Sequence, residues 1–158
     1  MLLSKWLQSA NLSPSARFLD LACGSGEVTC VLQQKGFRHI TGIDPFTAEA
    51  YKTRTNLVAH GYSFESIANG ALLDNQPVFA FDVIVCSFAM HLCAPSRLPL
   101  LCMQLSRIST LMVILTPHKR PEIDEAWGWK KLDEQLFERV RLRSYQSTGI
   151  FDKAELIG

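Results

Sequence analysis

The sequence predicts an α/β fold with a doubly wound, mostly parallel sheet, because three features of the chain agree. Apolar runs of strand length alternate with helix-length segments along most of the 158 residues, and this alternation is typical of a parallel sheet covered on both faces. The first such run, from Phe18, enters a turn that contains Gly24 and Gly26. The end of the chain instead alternates polar and apolar residues, which predicts an antiparallel pair of strands that finishes the sheet.

Glycine and proline residues mark the boundaries of several predicted helices and strands. The helix after the first strand should end near Lys35, because Gly36 is a good C-terminal cap. The second strand should end at Ile43, just before Asp44-Pro45, since Pro45 suits the first turn of the next helix, which we expect to continue to about His60. The predicted strands are Phe18 to Ala22, His39 to Ile43, Ser63 to Ile67, Phe81 to Cys86, Leu111 to Leu115, Lys131 to Glu138 and Val140 to Gln146, with a further helix over Ser96 to Ser109.

Length and composition indicate a single domain over residues 1 to 158, which is long enough to bury a core. Apolar residues make up 47% of the chain and the formal net charge is +1, so disorder and a nucleic-acid tail are disfavoured. No stretch reaches the roughly 18 apolar residues of a membrane span. The five cysteines form no C-x-x-C pair. We therefore expect a cytoplasmic protein with reduced thiols, no metal and no membrane partner; its oligomeric state is left open.

The most informative segment reads Asp-Leu-Ala-Cys-Gly-Ser-Gly, from Asp20 to Gly26. Glycine has no Cβ and tolerates positive φ, so a ligand can lie directly on the main chain of such a turn. This order of residues resembles the first motif of the class I S-adenosylmethionine (SAM) dependent methyltransferases. The resemblance implies their Rossmann-like fold over nearly the whole chain, SAM as cofactor, and methyl transfer. It also implies cofactor contacts along the turn, with the acid on the ammonium group of SAM: Asp20, Ala22, Cys23, Gly24, Ser25 and Gly26.

A nicotinamide dinucleotide site is the main alternative for this turn, because it uses a similar strand, turn and helix. Such a site requires another glycine three residues after the second one, and here that position is Thr29. The acid before the turn also suits a ligand that carries an ammonium group and disfavours a phosphate. SAM is therefore the favoured ligand.

Asp44 is the second predicted cofactor contact. It ends the strand expected beside the first one, where ligands of doubly wound sheets bind. The resemblance implies that its carboxylate accepts both ribose hydroxyls, with Pro45 beside it. A helix N-terminal acid that balances the helix dipole, worth under about 1 kcal/mol, is the alternative.

The adenine of SAM is expected beside the loop after the third strand. The family usually has an aspartate there, and this sequence has no clear one. The candidates are Glu65, Ser66, Ile67 and Asn69, and we expect adenine selectivity to come from backbone contacts and from Ser66 or Asn69. The alternative is that these are ordinary turn residues.

The segment from Phe81 to Leu92 is similar to the fourth motif of the same superfamily. The resemblance implies that Ser87 to His91 line the site of methyl transfer, with Ser87 next to the cofactor. His91 is a candidate general base, because the unperturbed pKa of histidine is close to neutrality. A structural histidine is the equal alternative.

The loop after the fifth strand places three basic residues between Pro117 and Pro121. A stiff cationic loop of this kind suits a carboxylate or phosphate on the substrate. His118, within it, is the second candidate base. A solvated surface loop is the competing interpretation.

Few residues outside the predicted fold remain for recognising an acceptor. They are an N-terminal helical extension over residues 1 to 16 and a possible substrate lid over residues 117 to 130, in which Trp127 and Trp129 either close over the acceptor or cover the sheet edge. A small acceptor, which could be anionic, is therefore favoured. The alternatives are a SAM-binding partner subunit without turnover, or an RNA or protein methyltransferase that works with a partner and uses the basic segment from Arg139 to Arg143. The low net charge disfavours nucleic acid.

Overall fold

The computed structural model describes residues 1 to 75 and 80 to 151, so residues 76 to 79 and the end of the predicted domain lie outside the description. Seven strands of the described chain form one sheet in the order β3-β2-β1-β4-β5-β7-β6. The first five run parallel and β7 runs antiparallel to both β5 and β6, which confirms the predicted fold class. The strands are β1 (Arg17–Leu21), β2 (His39–Ile43), β3 (Ala59–His60), β4 (Phe81–Ser87), β5 (Ser109–Thr116), β6 (Trp129–Phe137) and β7 (Val140–Ser147).

Helices cover both faces of this sheet because successive strand residues point to opposite sides. Phe18, Val83 and Val113 pack with α1 and α2 on one face, whereas Leu19 and Ile84 pack with α4 and α6 on the other. The α-helices of the described chain are α1 (Leu2–Ala10), α2 (Glu27–Gln34), α3 (Ala48–Thr55), α4 (Phe64–Ala68), α5 (Ala71–Asn75) and α6 (Leu98–Ser106), and short 3₁₀ helices lie at Met90–Leu92 and Glu125–Trp127. No helix in the part that the structure describes is long and apolar enough to cross a membrane. The five cysteines are unpaired.

The prediction for the third strand is wrong. Asn56, with φ of 63°, ends α3 early, and Ala59–His60 forms β3 where the helix was expected to continue. The predicted strand falls instead on α4, which begins with a reciprocal pair of caps. The side chain of Ser63 accepts a hydrogen bond from the Ser66 backbone N–H at 3.1 Å, and the Ser66 hydroxyl accepts one from the Ser63 N–H at 2.9 Å. This capping box stabilises a helix start in a segment whose apolar residues alone suit either structure.

The arginine-rich segment is not an open basic patch. Arg143 is only 2% exposed, and its guanidinium donates to Glu134 Oε1 at 2.5 Å, to the Pro121 carbonyl at 3.1 Å and to the Lys119 carbonyl at 2.5 Å. Arg141 also pairs with Glu134, at 3.6 Å. The buried cation therefore fastens the loop after β5 to the C-terminal hairpin.

Candidate active site

A cavity of about 670 Å³ opens at the carboxyl ends of β1, β2, β4 and β5. Its size lies within the roughly 300–1,000 Å³ of small-molecule sites, and its place matches the ligand crevice of doubly wound sheets. Most of its wall is apolar. The carboxylates that line it belong to Asp20, Glu27, Asp44 and Glu138, and none of the described residues that line it is a lysine, arginine or histidine.

The turn after β1 presents bare main chain to this cavity. Ala22, Gly24 and Gly26 all have positive φ, of 54°, 57° and 96°, which coils the chain tightly between β1 and α2. A Cβ added at Gly24 would meet just one neighbouring atom within 4 Å, Glu27 Oε2 at 3.8 Å, so the position is open on the cavity side. A ligand can therefore lie against the backbone at Gly24.

The second glycine of the turn has a different role. A Cβ at Gly26 would lie 2.4 Å from Thr55 Cγ2, and one at Gly42 would lie 2.5 Å from Tyr51 Cζ. Both glycines are thus required by the close packing of α3 against the sheet. Gly26 does not line the cavity, so it shapes the turn without facing the ligand.

Asp20 is held in place by α2 and α3. Its side chain is buried, and its Oδ2 accepts hydrogen bonds from the backbone N–H of Thr29 at 3.2 Å and from the Thr29 hydroxyl at 2.7 Å. The Thr29 hydroxyl is in turn 2.8 Å from the Tyr51 hydroxyl. Thr29, which stands where a dinucleotide site would have glycine, therefore positions the acid.

Burial also changes the acidity of Asp20. Loss of hydration raises the pKa of its carboxyl from 3.8 to about 7, although the two hydrogen bonds from Thr29 oppose the shift. A carboxylate in this setting gains from a nearby positive charge, since an opposite charge favours the ionised form. The ammonium group of an amino-acid ligand supplies such a charge.

Asp44 lies beside the glycine turn at the end of β2. Its Oδ2 accepts a hydrogen bond from the Gly24 N–H at 3.2 Å, and its Oδ1 accepts one from the Phe46 N–H at 2.8 Å. Each carboxylate oxygen has two lone pairs, so both oxygens can accept a further bond from a ligand. This geometry fits a pair of neighbouring hydroxyls.

The predicted cofactor residues divide into two groups. The residues that line the cavity are Asp20, Ala22, Cys23, Gly24, Asp44 and Ser87, and those that do not are Ser25, Gly26, Pro45, Ser66 and Ile67. Ser25 donates to Glu27 Oε1 at 2.7 Å. Ser66 belongs to the α4 capping box, and Ile67 is buried in the core. The adenine contacts expected from Ser66 and Ile67 therefore have no support in this geometry, because the strand that was to carry them is a helix.

The two candidate bases lie together but outside the cavity. The rings of His91 and His118 are 4.5 Å apart between centroids. Ser87, Phe88 and Ala89 line the cavity, whereas the 3₁₀ turn after them directs His91 to a second, smaller depression. The expectation that His91 faces the methyl-transfer site is thus not met by its position.

Trp127 and Trp129 also separate. Trp129 is fully buried and donates from Nε1 to the Cys102 carbonyl at 2.9 Å, so it covers the sheet edge. Trp127 is half-buried and lines the smaller depression. Neither lines the larger cavity.

Several cavity residues were missed by the sequence analysis. Met1 comes from the N-terminus, Leu92 from the turn after β4, and Phe137 and Glu138 from the hairpin between β6 and β7. Glu138 and Arg139 both have positive φ, as a tight two-residue hairpin turn requires. The alternating pattern of the two strands predicted this hairpin, but no local signal placed its tip above the cofactor turn.

This strand order, with an acid and a glycine turn facing a cavity at the strand ends, defines a class I SAM-dependent methyltransferase. The chain belongs to a family of methyltransferase domains, which it matches over residues 2–150. The cofactor of this family is SAM, and the residues around Asp20, Gly24 and Asp44 fit its ammonium group and its ribose.

Several known proteins are similar to this chain in sequence or in fold. A Schizosaccharomyces pombe protein of uncharacterised function is 29% identical over 178 aligned residues, which cover 85% of this chain and 72% of that protein. A TehB-like SAM-dependent methyltransferase from Corynebacterium glutamicum is similar in structure, with a TM-score of 0.67, 16% identity, and coverage of 90% of this chain and 85% of that one. The 1,6-didemethyltoxoflavin-N1-methyltransferase of Burkholderia thailandensis, solved with 1,6-didemethyltoxoflavin and S-adenosylhomocysteine, gives a TM-score of 0.69 at 13% identity over 92% of this chain and 77% of that one.

Proposed function

We propose that this methyltransferase acts on a small acceptor whose apolar, ring-sized body binds in the outer half of the cavity. The observation that carries the proposal is an apolar part of the cavity lining that lies outside the glycine turn. There, Phe88, Leu92 and Phe137 line the cavity while staying 48%, 70% and 49% exposed. Large apolar side chains that remain this exposed around a pocket mark a binding site.

The inner half of the cavity holds the cofactor in this proposal. Asp20 receives the ammonium group, the backbone at Gly24 lies beneath the amino acid, and Asp44 accepts the ribose hydroxyls. When bound, SAM supplies a methyl group attached to a sulfonium. The sulfur leaves as a neutral thioether, so its departure requires no metal. The chain then has to align the acceptor and exclude water.

Alignment is the main contribution of the apolar wall. Holding two reactants in a productive orientation can lower a barrier by several kcal/mol, up to about 7–11. The backbone at Phe88 has φ of 57°, which is uncommon for a bulky residue and typical of functional sites. This conformation sets the ring at the mouth of the cavity, directly after the strand that ends at Ser87.

The lining also restricts the chemistry of the acceptor. No imidazole lines the cavity among the residues that the structure describes, so a base from His91 or His118 is not part of the proposal. An acceptor atom that is already nucleophilic at neutral pH requires none. A ring nitrogen, as in the substrate of the Burkholderia thailandensis enzyme, has this property when it carries no proton.

A transfer assay with SAM labelled on its methyl group tests the proposal. We expect label in small molecules when a panel of nitrogen heterocycles or a small-molecule extract is added, and none in purified RNA. Phe88→Ala should raise KM for the acceptor and leave the Kd for SAM unchanged. Leu132→Ala is the matched control, because Leu132 on β6 is 51% exposed, much like Phe88, and lies outside the cavity lining.

Two results would contradict the proposal. Label that enters RNA or protein but no small molecule would show a macromolecular acceptor. Equal effects of Phe88→Ala and Leu132→Ala would remove the apolar wall from the acceptor site.

A further inference from the structure

A second depression, of about 360 Å³, lies beside the active-site cavity between the turn after β4 and the loop after β5. Its lining includes His91, Arg120, Glu122 and Trp127, and the imidazole of His118 is stacked at a tilt against that of His91, 4.5 Å away. His91 and Arg120 thus line one small depression together with the Trp127 ring, and His118 lies next to His91 outside that lining.

The loop after β5, which carries His118 and Arg120, is held by hydrogen bonds to buried residues. Arg143 donates to the carbonyls of Lys119 and Pro121, and the His118 N–H donates to the hydroxyl of the buried Thr116 at 3.0 Å. The backbone on both sides of Arg120 is therefore fixed before any ligand arrives. A fixed backbone leaves only the exposed side chains to be ordered when a ligand binds, which lowers the entropy cost of binding.

The Arg120 guanidinium of this loop has no ion-pair partner among the described residues. Within residues 1 to 75 and 80 to 151, the ion pairs involve other residues, and none includes His91, His118 or Arg120. Glu122 shares the depression but does not pair with Arg120. The guanidinium is thus available for the two-pronged bond that it forms with carboxylate or phosphate.

The active-site cavity and the second depression are lined by residues of the same short turn. Within the 3₁₀ turn Met90–Leu92, Leu92 lines the active-site cavity and His91 lines the second depression. Consecutive residues of one turn thus line the active-site cavity and the second depression. The larger cavity has no lysine, arginine or histidine among its described lining residues, so it offers an anionic group neither a guanidinium nor an imidazole.

We infer that the depression at His91, His118 and Arg120 binds an anionic group of the methyl acceptor, a phosphate or a carboxylate, while the apolar body of the acceptor lies in the active-site cavity. This inference rests on the proposed function. It assigns the two histidines and the cationic loop to acceptor recognition, and not to proton transfer.

The histidine resonances of the protein provide a direct binding test. The chain has four histidines, His39, His60, His91 and His118, so each imidazole signal can be assigned with single His→Gln variants. Inorganic phosphate is titrated into the full chain in an uncharged buffer, and acetate is titrated separately to distinguish phosphate from carboxylate. We expect saturable shifts at His91 and His118, and no saturable shift at the exposed His39 and His60.

Charge-matched variants assign the effect to the loop. Arg120→Gln should weaken phosphate binding by about tenfold, the effect of losing one charged bidentate contact. Lys52→Gln, which removes an exposed cation on α3, should leave it unchanged. Shifts that never saturate, shifts of equal size at all four histidines, or equal affinity in Arg120→Gln would each overturn the inference.

Competition connects the site to the acceptor. Phosphate should inhibit labelled methyl transfer competitively with the acceptor, without changing the Kd for SAM, and Arg120→Gln should relieve this inhibition. Saturable phosphate binding with no inhibition would show an anion site that does not serve the acceptor, which contradicts the inference. A chain that binds phosphate but transfers no methyl group would instead overturn the proposed function.

Discussion

Asp20 and Asp44 both lie near the end of a predicted strand in the sequence, but their burial and their hydrogen-bond partners differ in the structure. Asp44 lies half-buried at the cavity, and its two carboxylate oxygens accept hydrogen bonds from the backbone N–H groups of Gly24 and Phe46. Asp20 is buried at the cavity wall, and its carboxyl is positioned by hydrogen bonds from Thr29. The sequence could predict both acids from their places at strand ends, but the support from Thr29 and Tyr51 arises only when α2 and α3 pack together.

For Asp44, we predict that Asp44→Ala weakens SAM binding by about 1.5–3 kcal/mol, because hydrogen bonds to a charged group are lost. Calorimetry of SAM binding measures the change. Glu49→Ala removes an exposed acid of α3 and should bind SAM as the wild type does. Wild-type affinity in Asp44→Ala would exclude its carboxylate from the cofactor site.

For Asp20, we predict that the stability of the ligand-free protein falls as pH rises from about 4 to about 7. The folded-state pKa of about 7 lies above the ordinary 3.8, so across this range the folded chain keeps a proton that the unfolded chain has released. The free energy of unfolding should therefore be lower by a few kcal/mol at pH 8 than near pH 5. Urea unfolding at both values measures it.

Asp20→Asn serves as the control for that measurement, because an amide cannot ionise and can still accept the bonds from Thr29. We expect its stability to change much less between the two pH values. A wild-type protein that is more stable at pH 8 than at pH 5, with the same trend in Asp20→Asn, would contradict the role of burial at this carboxyl.

At the scale of elements, β2 was predicted to the residue because its signals agree on both sides. Gly36 ends the helix before it, where φ of 90° suits glycine, and Asp44-Pro45 follows it. β3 was missed because it has only two residues, too few for any alternating pattern. The serines of the α4 capping box were visible in the sequence, yet the neighbouring apolar residues suggested a strand.

The packing of α3 against the sheet gives a prediction at this scale. Gly42→Ala should lower the free energy of unfolding by about 1–3 kcal/mol, because its Cβ would lie 2.5 Å from the Tyr51 ring in a well-packed site. Gly61→Ala is the matched control, since nothing lies within 4 Å of its added Cβ. Denaturant unfolding compares the two, and equal stabilities would show that α3 can move away at little cost.

For the whole molecule, the strand order is what assembles the site. Placing β1 between β2 and β4 brings Asp20, Asp44 and Ser87 to one edge, and the motif resemblance was sufficient to predict this. The outer wall depends on contacts between distant parts of the chain, from Met1 to Glu138, which local patterns do not encode. The position of His91 was unpredictable for the same reason, because the 3₁₀ turn at Met90–Leu92 places it at the second depression and not at the active-site cavity.

The central claim is that the backbone at Gly24 forms the floor of the cofactor site. Calorimetry with S-adenosylhomocysteine on the wild-type chain and on Gly24→Val tests it most directly, with circular dichroism to confirm that the variant is folded. A valine here would have to adopt φ of +57° and would extend its side chain over the cavity floor. We predict saturable binding to the wild type and none to folded Gly24→Val, and wild-type affinity in that variant would contradict the account.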